Sequence, residues 1–337
     1  MIKYLGSKRR LVARLVDVVV ADAPKARSVL DLFSGTARVG MAMKAHGLRV
    51  IANDHNAYAH TLARCYVEAD DELVPVLEQL IAELRSVKPK AGWFTKTFCE
   101  DARFFHPKNG ARIDAIRERI ARLDLAQPLQ SVLLVSLMEA ADRVDSTVGV
   151  QMAYLKSWAP RALQDLELRV PALLPRARAG RGESHQLDAR HAARSLKADV
   201  AYLDPPYNQH SYLGNYHIWE SLVLWDKPAV YGVAMKRVDC RQRVSSFNLK
   251  SAAREALQDV IASVDCRLLV VSFNDEGFFD RATLEALLGT RGSVQVHAIE
   301  SPRYVGAKIG IYNPAGKKVG AVSHLTNHEL VYVVRCA

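Results

Sequence analysis

Ala198-Asp199-Val200-Ala201-Tyr202-Leu203-Asp204-Pro205-Pro206-Tyr207 is the stretch on which the reading of this chain turns. Its first six residues have the length and β-branched content of a buried strand. Neither proline carries an N–H and each fixes its own φ, so the ladder stops there, at the strand's carboxyl end. In an open α/β sheet that edge is where ligands bind. Asp204, Pro205, Pro206 and Tyr207 offer a carboxylate, rigid carbonyls and an aromatic ring. That set suits a planar ring bearing an amino group. A plain strand-ending turn has the same local appearance, so the rest of the chain decides.

Working outward, the opening of the chain has the same alternation. A first helix is predicted over Lys8 to Val20, with Leu11, Leu15 and Val18 on one face. Ser28 to Phe33 reads as a buried strand. It breaks at Ser34-Gly35-Thr36 into a helix that carries Val39 and Met43 and closes at Gly47. Arg49 to Asn53 is the next strand, ending on Asp54. From Asn56 to about Leu174 the pattern turns helical, with helices predicted over Glu72–Val87, Ile113–Leu123 and Leu129–Arg143. The aromatics Trp93, Phe94, Phe98, Phe104 and Phe105 form a local cluster among them. Pro171 to Gly182, rich in proline and arginine, reads as an exit linker. Beyond it come helices over Tyr216–Leu224, Ala252–Val264 and Ala282–Leu288, and strands over Arg267–Ser272, Ser293–Ile299 and Glu329–Val334. Asn313 to Gly316 is a turn signal. The fold class is therefore α/β, a Rossmann-like doubly wound sheet. Residues 1–56 and 183–337 are expected to form the catalytic domain, and 57–182 an inserted, mainly helical domain.

Composition narrows the function. The net charge is +10 and hydrophobic residues make up 49% of the 337, enough for a substantial core and a basic surface that attracts phosphate. No apolar stretch reaches the ~18 residues of a membrane span, and the first residues lack a signal peptide's apolar core. Five scattered cysteines form no C-x-x-C pair and point to neither a disulfide framework nor a zinc site. A cytoplasmic enzyme without a metal is expected, monomeric or weakly associating.

The loop at Asp31 to Thr36 lacks G-x-G-x-x-G spacing, so a dinucleotide pyrophosphate is a poor match. Asp54, ending the second strand, is placed to accept hydrogen bonds from ribose hydroxyls. Asp188, before the Asp204 strand, is placed to receive an adenine amino group. Ribose and adenine without phosphates describe S-adenosyl-L-methionine. After the motif, Asn208, His210 and Tyr212, with Tyr216, His217 and Trp219, offer a polar and aromatic rim for nucleic acid; helix packing explains Tyr216 and Trp219 equally well. His217 reads as a satisfied surface histidine. Arg143 and Gln151 suit guanine and adenine edges, with a helix-ending loop as the alternative. Arg176 and Arg178 suit phosphates, and a solvated linker would look the same.

Taken together, these residues resemble the alpha-group, Dam-like DNA adenine-N6 methyltransferases. Tyr4-Leu5-Gly6-Ser7-Lys8 is similar to the family's N-terminal motif, in which the aromatic and the lysine touch the methionine part of the cofactor. Asp31, Phe33, Ser34 and Gly35 match the cofactor loop, Asn53-Asp54 the ribose-binding acid, and Asp204 to Tyr207 the catalytic motif in full. Ser272-Phe273-Asn274-Asp275 resembles a later strand-end motif. The stretch from Arg303-Tyr304 to Asn327-His328-Glu329-Leu330 resembles a C-terminal hairpin. Tyr4 stands where tryptophan is common. The resemblance covers about the first 60 and last 150 residues and implies a site-specific enzyme acting on a flipped-out adenine in double-stranded DNA, with S-adenosyl-L-methionine as methyl donor. It also raises a cognate restriction endonuclease as a partner. Methylation of adenine in RNA stays open, as does an inactive DNA-binding specificity subunit. Cytosine-N4 and glutamine methylation rank below these, because related enzymes of those kinds carry Ser or Asn in place of Asp204.

Overall fold

The computed structural model describes residues 1–6, 8–9, 11–274, 277–302, 311–312, 318–320 and 326–336. Asp275, Arg303-Tyr304 and the turn at 313–316 lie outside them, as does Ser7.

Seven strands form the main sheet: β1 Ser28–Asp31, β2 Arg49–Asn53, β3 Glu183–His185, β4 Val200–Leu203, β5 Leu268–Asn274, β6 Gly292–Pro302 and β7 Thr326–Cys336. Their order is β3-β2-β1-β4-β5-β7-β6. β1 to β5 pair in parallel, while β7 runs antiparallel between β5 and β6. Beyond β1 the sheet grows one way through β2 and β3, and from β4 it grows the other way. The crevice at that reversal opens at the carboxyl ends of β1 and β4.

Alternation along each strand divides the core in two. Val29, Val50, Val200, Val270 and Val331 face one side; Leu30, Ile51, Ala201, Val271 and Tyr332 face the other. The second face is covered by helix Lys250–Ser263, whose Ala253, Ala256, Leu257, Val260 and Ile261 recur at helical spacing. On the first face the helices between residues 57 and 143 bring Leu62, Leu77, Phe98, Ile113 and Leu137 into the same core as the strands. Helix Leu129–Arg143 has the bounds read from the sequence and is buried along most of its length.

The sequence reading differs from the structure at several elements, among them the helix read from Ile113, which begins at Pro107, and the following two. The first helix begins at Val12, because the carbonyl of Lys8 accepts from Leu11 and Val12 in a turn that precedes it. β3 was not legible: it is three partly buried residues at the sheet edge, too short and polar to show alternation. Among the described residues no helix is long and apolar enough to cross a membrane.

The aromatic cluster is pinned by one carboxylate. Buried Asp114 accepts from the backbone N–H of Gly92 (2.9 Å), Phe94 (3.0 Å) and Thr95 (2.8 Å) and from the Thr95 hydroxyl (2.6 Å). It caps the turn that carries Phe94 and Phe98, whose rings meet edge to face at 5.0 Å. Removing it strands those donors, and Asp114→Ala is expected to lower stability in urea unfolding by about 3 kcal/mol.

Candidate active site

The carboxyl ends of β1, β2 and β4 open into a cavity of about 330 Å³, walled by the N-terminal turn, Leu187-Asp188 and the segment 242–248. Volume and position suit a small cofactor.

At its floor Asp31 is almost wholly buried. Its Oδ2 accepts from Gly40 N (3.1 Å), while Oδ1 is buried with no partner among the described residues. Burial pushes this carboxyl up to about 7, with Asp204 and Asp54 adding to the rise and the Gly40 bond opposing it. An unsatisfied carboxylate oxygen of this kind is a place for a cation. Gly35 has φ +50°, and a side chain there would meet the ring of Tyr4 at 3.4 Å, so glycine permits both the turn and the aromatic approach. Gly35 N donates to Asp54 Oδ2 (3.0 Å) and Asn56 N to Oδ1 (2.9 Å). Burial raises the Asp54 carboxyl against those bonds. Asn53 ties the ends of three segments: its amide donates to Leu32 O (3.2 Å) and Leu187 O (3.3 Å) and accepts from Leu187 N (3.1 Å). Asp188 caps helix Ala189–Ser195, accepting from Arg190 N (3.0 Å), and lines the cavity. Phe33 meets Phe247 edge to face at 5.1 Å, and Ser34 lines the cavity beside them.

Tyr4 sits between Tyr212 (5.3 Å) and Tyr216 (4.6 Å) in a three-ring stack, with its hydroxyl 3.2 Å from that of Tyr58. Lys8 lines the cavity, and its ammonium goes to Asp204 Oδ1 (3.0 Å) and to Glu329 Oε1. Burial alone would favour the neutral amine; the two carboxylates outweigh it and hold the proton on Lys8. Asp204 Oδ1 also accepts from Ser272 Oγ (3.0 Å), which lies 2.8 Å from the Tyr202 hydroxyl. Burial raises the Asp204 carboxyl, Lys8 and Ser272 oppose it, and Glu329 adds to it. Pro205 is buried and Pro206 lines the cavity. Tyr207 packs edge-on against Phe273 at 5.8 Å, and its carbonyl accepts from Phe278 N (2.8 Å). The Asn208 and His210 carbonyls accept from Asn248 Nδ2 (2.7 and 3.2 Å), which holds the loop after the motif.

Four residues do not line this cavity. Gln151 is buried; its side chain accepts from Ile218 N (2.8 Å) and its carbonyl meets His217 Nε2 (3.0 Å), so it fixes a loop and is closed to base edges. Arg143 is bonded to the Glu167 carbonyl (2.6 Å). Arg176 is paired with Asp70 and Glu72, both at 2.8 Å. Arg178 packs on Gly47, just before β2 begins, at the opposite end from the strand carboxyl ends. An arginine-rich stretch does not show in sequence which acids its folded neighbours supply. His217 is buried rather than at the surface, and burial lowers its pKa to about 3, leaving it neutral.

The cover over the cavity escaped sequence reasoning. Fully buried Glu220 pairs with Arg243 (2.8 Å) and accepts from Tyr58 N (3.0 Å), anchoring segment 242–248. Nothing in the local sequence marks Glu220 as different from an exposed helical acid. Among the described residues no group of histidines, cysteines or acids could hold a metal ion.

A doubly wound sheet with this strand-end motif defines a methyltransferase class, and the comparison with known families agrees. The model of the D12 class N6 adenine-specific DNA methyltransferases matches residues 4–282, and the chain belongs to that family: it is a DNA adenine methyltransferase. It is 29% identical over 312 residues to the type II methyltransferase M.NlaIII of Neisseria lactamica, covering 89% of this chain and 92% of that one. It is 27% identical over 303 residues to M.CviAII of Paramecium bursaria Chlorella virus 1, covering 88% and 90%. M.FokI of Planomicrobium okeanokoites is 28% identical over 326 residues, and there the chain spans 49% of the relative's length.

The buried Asp31 carboxyl gives a stability signature. Its folded pKa lies above the unfolded value of 3.8, so the proton it retains favours folding at low pH and that contribution is lost as pH rises through about 7. Asp31→Asn is therefore expected to raise the melting temperature at pH 8 by roughly 2–6 °C, with the gain vanishing near pH 4.

Proposed function

We propose that the enzyme moves a methyl group from S-adenosyl-L-methionine to the N6 of an adenine flipped out of double-stranded DNA, with residues 57–182 contributing to recognition of a specific site. The observation that carries this reading is one cavity that runs from Asp54 and Asp188, past the unpartnered Oδ1 of Asp31, to Asp204. The donor set fits the cofactor. Asp54 suits ribose hydroxyls, Asp188 an adenine amino group, and buried Asp31 a cationic group, with Gly35 letting the ligand approach the backbone. Bound there, S-adenosyl-L-methionine supplies a methyl group already activated on a sulfonium.

The chain's own task is the acceptor, whose amino lone pair is delocalised into the ring. Asp204 and the Pro205 carbonyl accept the two amino hydrogens, turn the lone pair out of the ring plane and stabilise the positive charge that grows on nitrogen. Tyr207 stacks on the base once it has left the duplex.

The duplex side of the site lies beside Tyr212. Gln151 N donates to Asn215 O (2.8 Å), which docks the 148–156 loop next to the rim. The hairpin Val230–Tyr231 and Lys236–Arg237 touches that loop through Lys236 and Met152. Its tip residue Val233 is 77% exposed. These elements replace the distant Arg176 and Arg178 as the DNA-facing surface. The type II names of the relatives support a role opposite a cognate restriction endonuclease, and an enzyme that modifies DNA would work in the cytoplasm.

Methyl transfer to duplex DNA and to total RNA, followed by nucleoside mass spectrometry, tests the reading: N6-methyladenine in DNA is expected, and label in RNA alone would overturn it. Asp204→Ala should lose at least about 1,000-fold in methylation rate with cofactor affinity nearly unchanged. Val233→Asp should weaken duplex binding by roughly three- to tenfold without altering cofactor affinity, as read by fluorescence anisotropy and calorimetry.

A further inference from the structure

Among the described residues, the contacts that hold the Asp204 carboxylate converge on one of its oxygens. Lys8 Nζ and Ser272 Oγ both approach Oδ1 at 3.0 Å. No described residue donates a hydrogen bond to Oδ2, and the side chain keeps 21% of its surface open beside the cavity. The holders come from distant parts of the chain. Lys8 precedes the first helix, Ser272 lies on β5 and Glu329, the second partner of Lys8, on β7. Because β7 inserts antiparallel against β5, Glu329 pairs with Asn274 two positions from Ser272, which brings both side chains to the Asp204 end of the sheet.

We propose that Glu329 and Ser272 are positioning residues for methyl transfer: together with Lys8 they lock Oδ1 and leave Oδ2 as the oxygen that accepts the adenine amino hydrogen. This rests on Asp204 being the acceptor. Two carboxylates share one ammonium, so the trio carries a net negative charge next to a nitrogen that becomes positive. Without Glu329 the whole Lys8 charge would fall on Asp204, and the carboxylate would become a weaker acceptor. Among the described residues the other groups facing Asp204 are Asp31, Tyr202 and Tyr212, of which Asp31 adds negative charge when ionised. Ser272 acts in the opposite sense to Glu329, because its hydroxyl stabilises the carboxylate that Glu329 repels.

The opposition supplies the test. Single-turnover methylation of duplex DNA, at saturating cofactor and DNA, is followed across pH for wild type, Glu329→Gln and Ser272→Ala, with cofactor and DNA affinities measured alongside. Glu329→Gln should lower the rate by about 10- to 100-fold with both affinities retained, and move the acidic limb of the profile to lower pH. Ser272→Ala should also slow transfer but move that limb to higher pH. Limbs that do not move, or that move the same way, would overturn the proposal. Should Glu329→Gln not fold, Ser272→Ala decides alone: an upward shift supports the proposal and no upward shift overturns it. Full activity in Asp204→Ala would instead remove the underlying reading of Asp204 as acceptor, an outcome the pH limbs do not mimic.

Discussion

One ammonium, that of Lys8, joins the beginning, middle and end of this chain. It is shared between Asp204 at the end of β4 and Glu329 on the last strand, both largely buried. A buried charge is costly unless it is paired, and here both carboxylates draw on the one ammonium. The N-terminal turn must therefore lie against the sheet's carboxyl edge, and β7 must pair with β5 in the one register that places Glu329 there. The Tyr212–Tyr4–Tyr216 stack then holds the same turn against the loop that follows Asp204–Tyr207.

The sheet topology explains why chemistry collects at this edge. Strands β1 and β4 are neighbours whose connections leave in opposite directions, so no loop crosses between them and a crevice is left open. Asp31 and Asp204 end those two strands, and both carboxyls are raised by burial at the same spot. Such a concentration of perturbed acids is unfavourable, and a cationic group placed among them would relieve it. The cover formed by 242–248 depends on another buried pair, Glu220 with Arg243, so both walls of the cavity are set by paired charges.

Much of this was legible from residue order. Asp31, Asp54 and Asp204 each follow an apolar run, and a strand end is a local feature that hydrophobic patterning and proline chemistry reveal. Helix Leu129–Arg143 was legible for the same reason. The short edge strand β3 was not, because three polar residues carry no period. Gln151 and Arg176 were misplaced, because polarity in sequence does not distinguish a side chain facing solvent from one spent on a backbone amide or on a distant acid.

The sequence by itself determined the class of fold, the strand-end acids and the amino-bearing ring they suit, since these follow from periodicity and from the fixed geometry of proline. Only the tertiary structure decided which partner each charge has: Lys8 with Glu329, Ser272 with Asp204, Arg176 with Asp70. The physical reason is that ion pairs and hydrogen bonds act over a few ångströms in space. Residues brought that close by β7's antiparallel insertion lie at opposite ends of the chain, where no local pattern connects them.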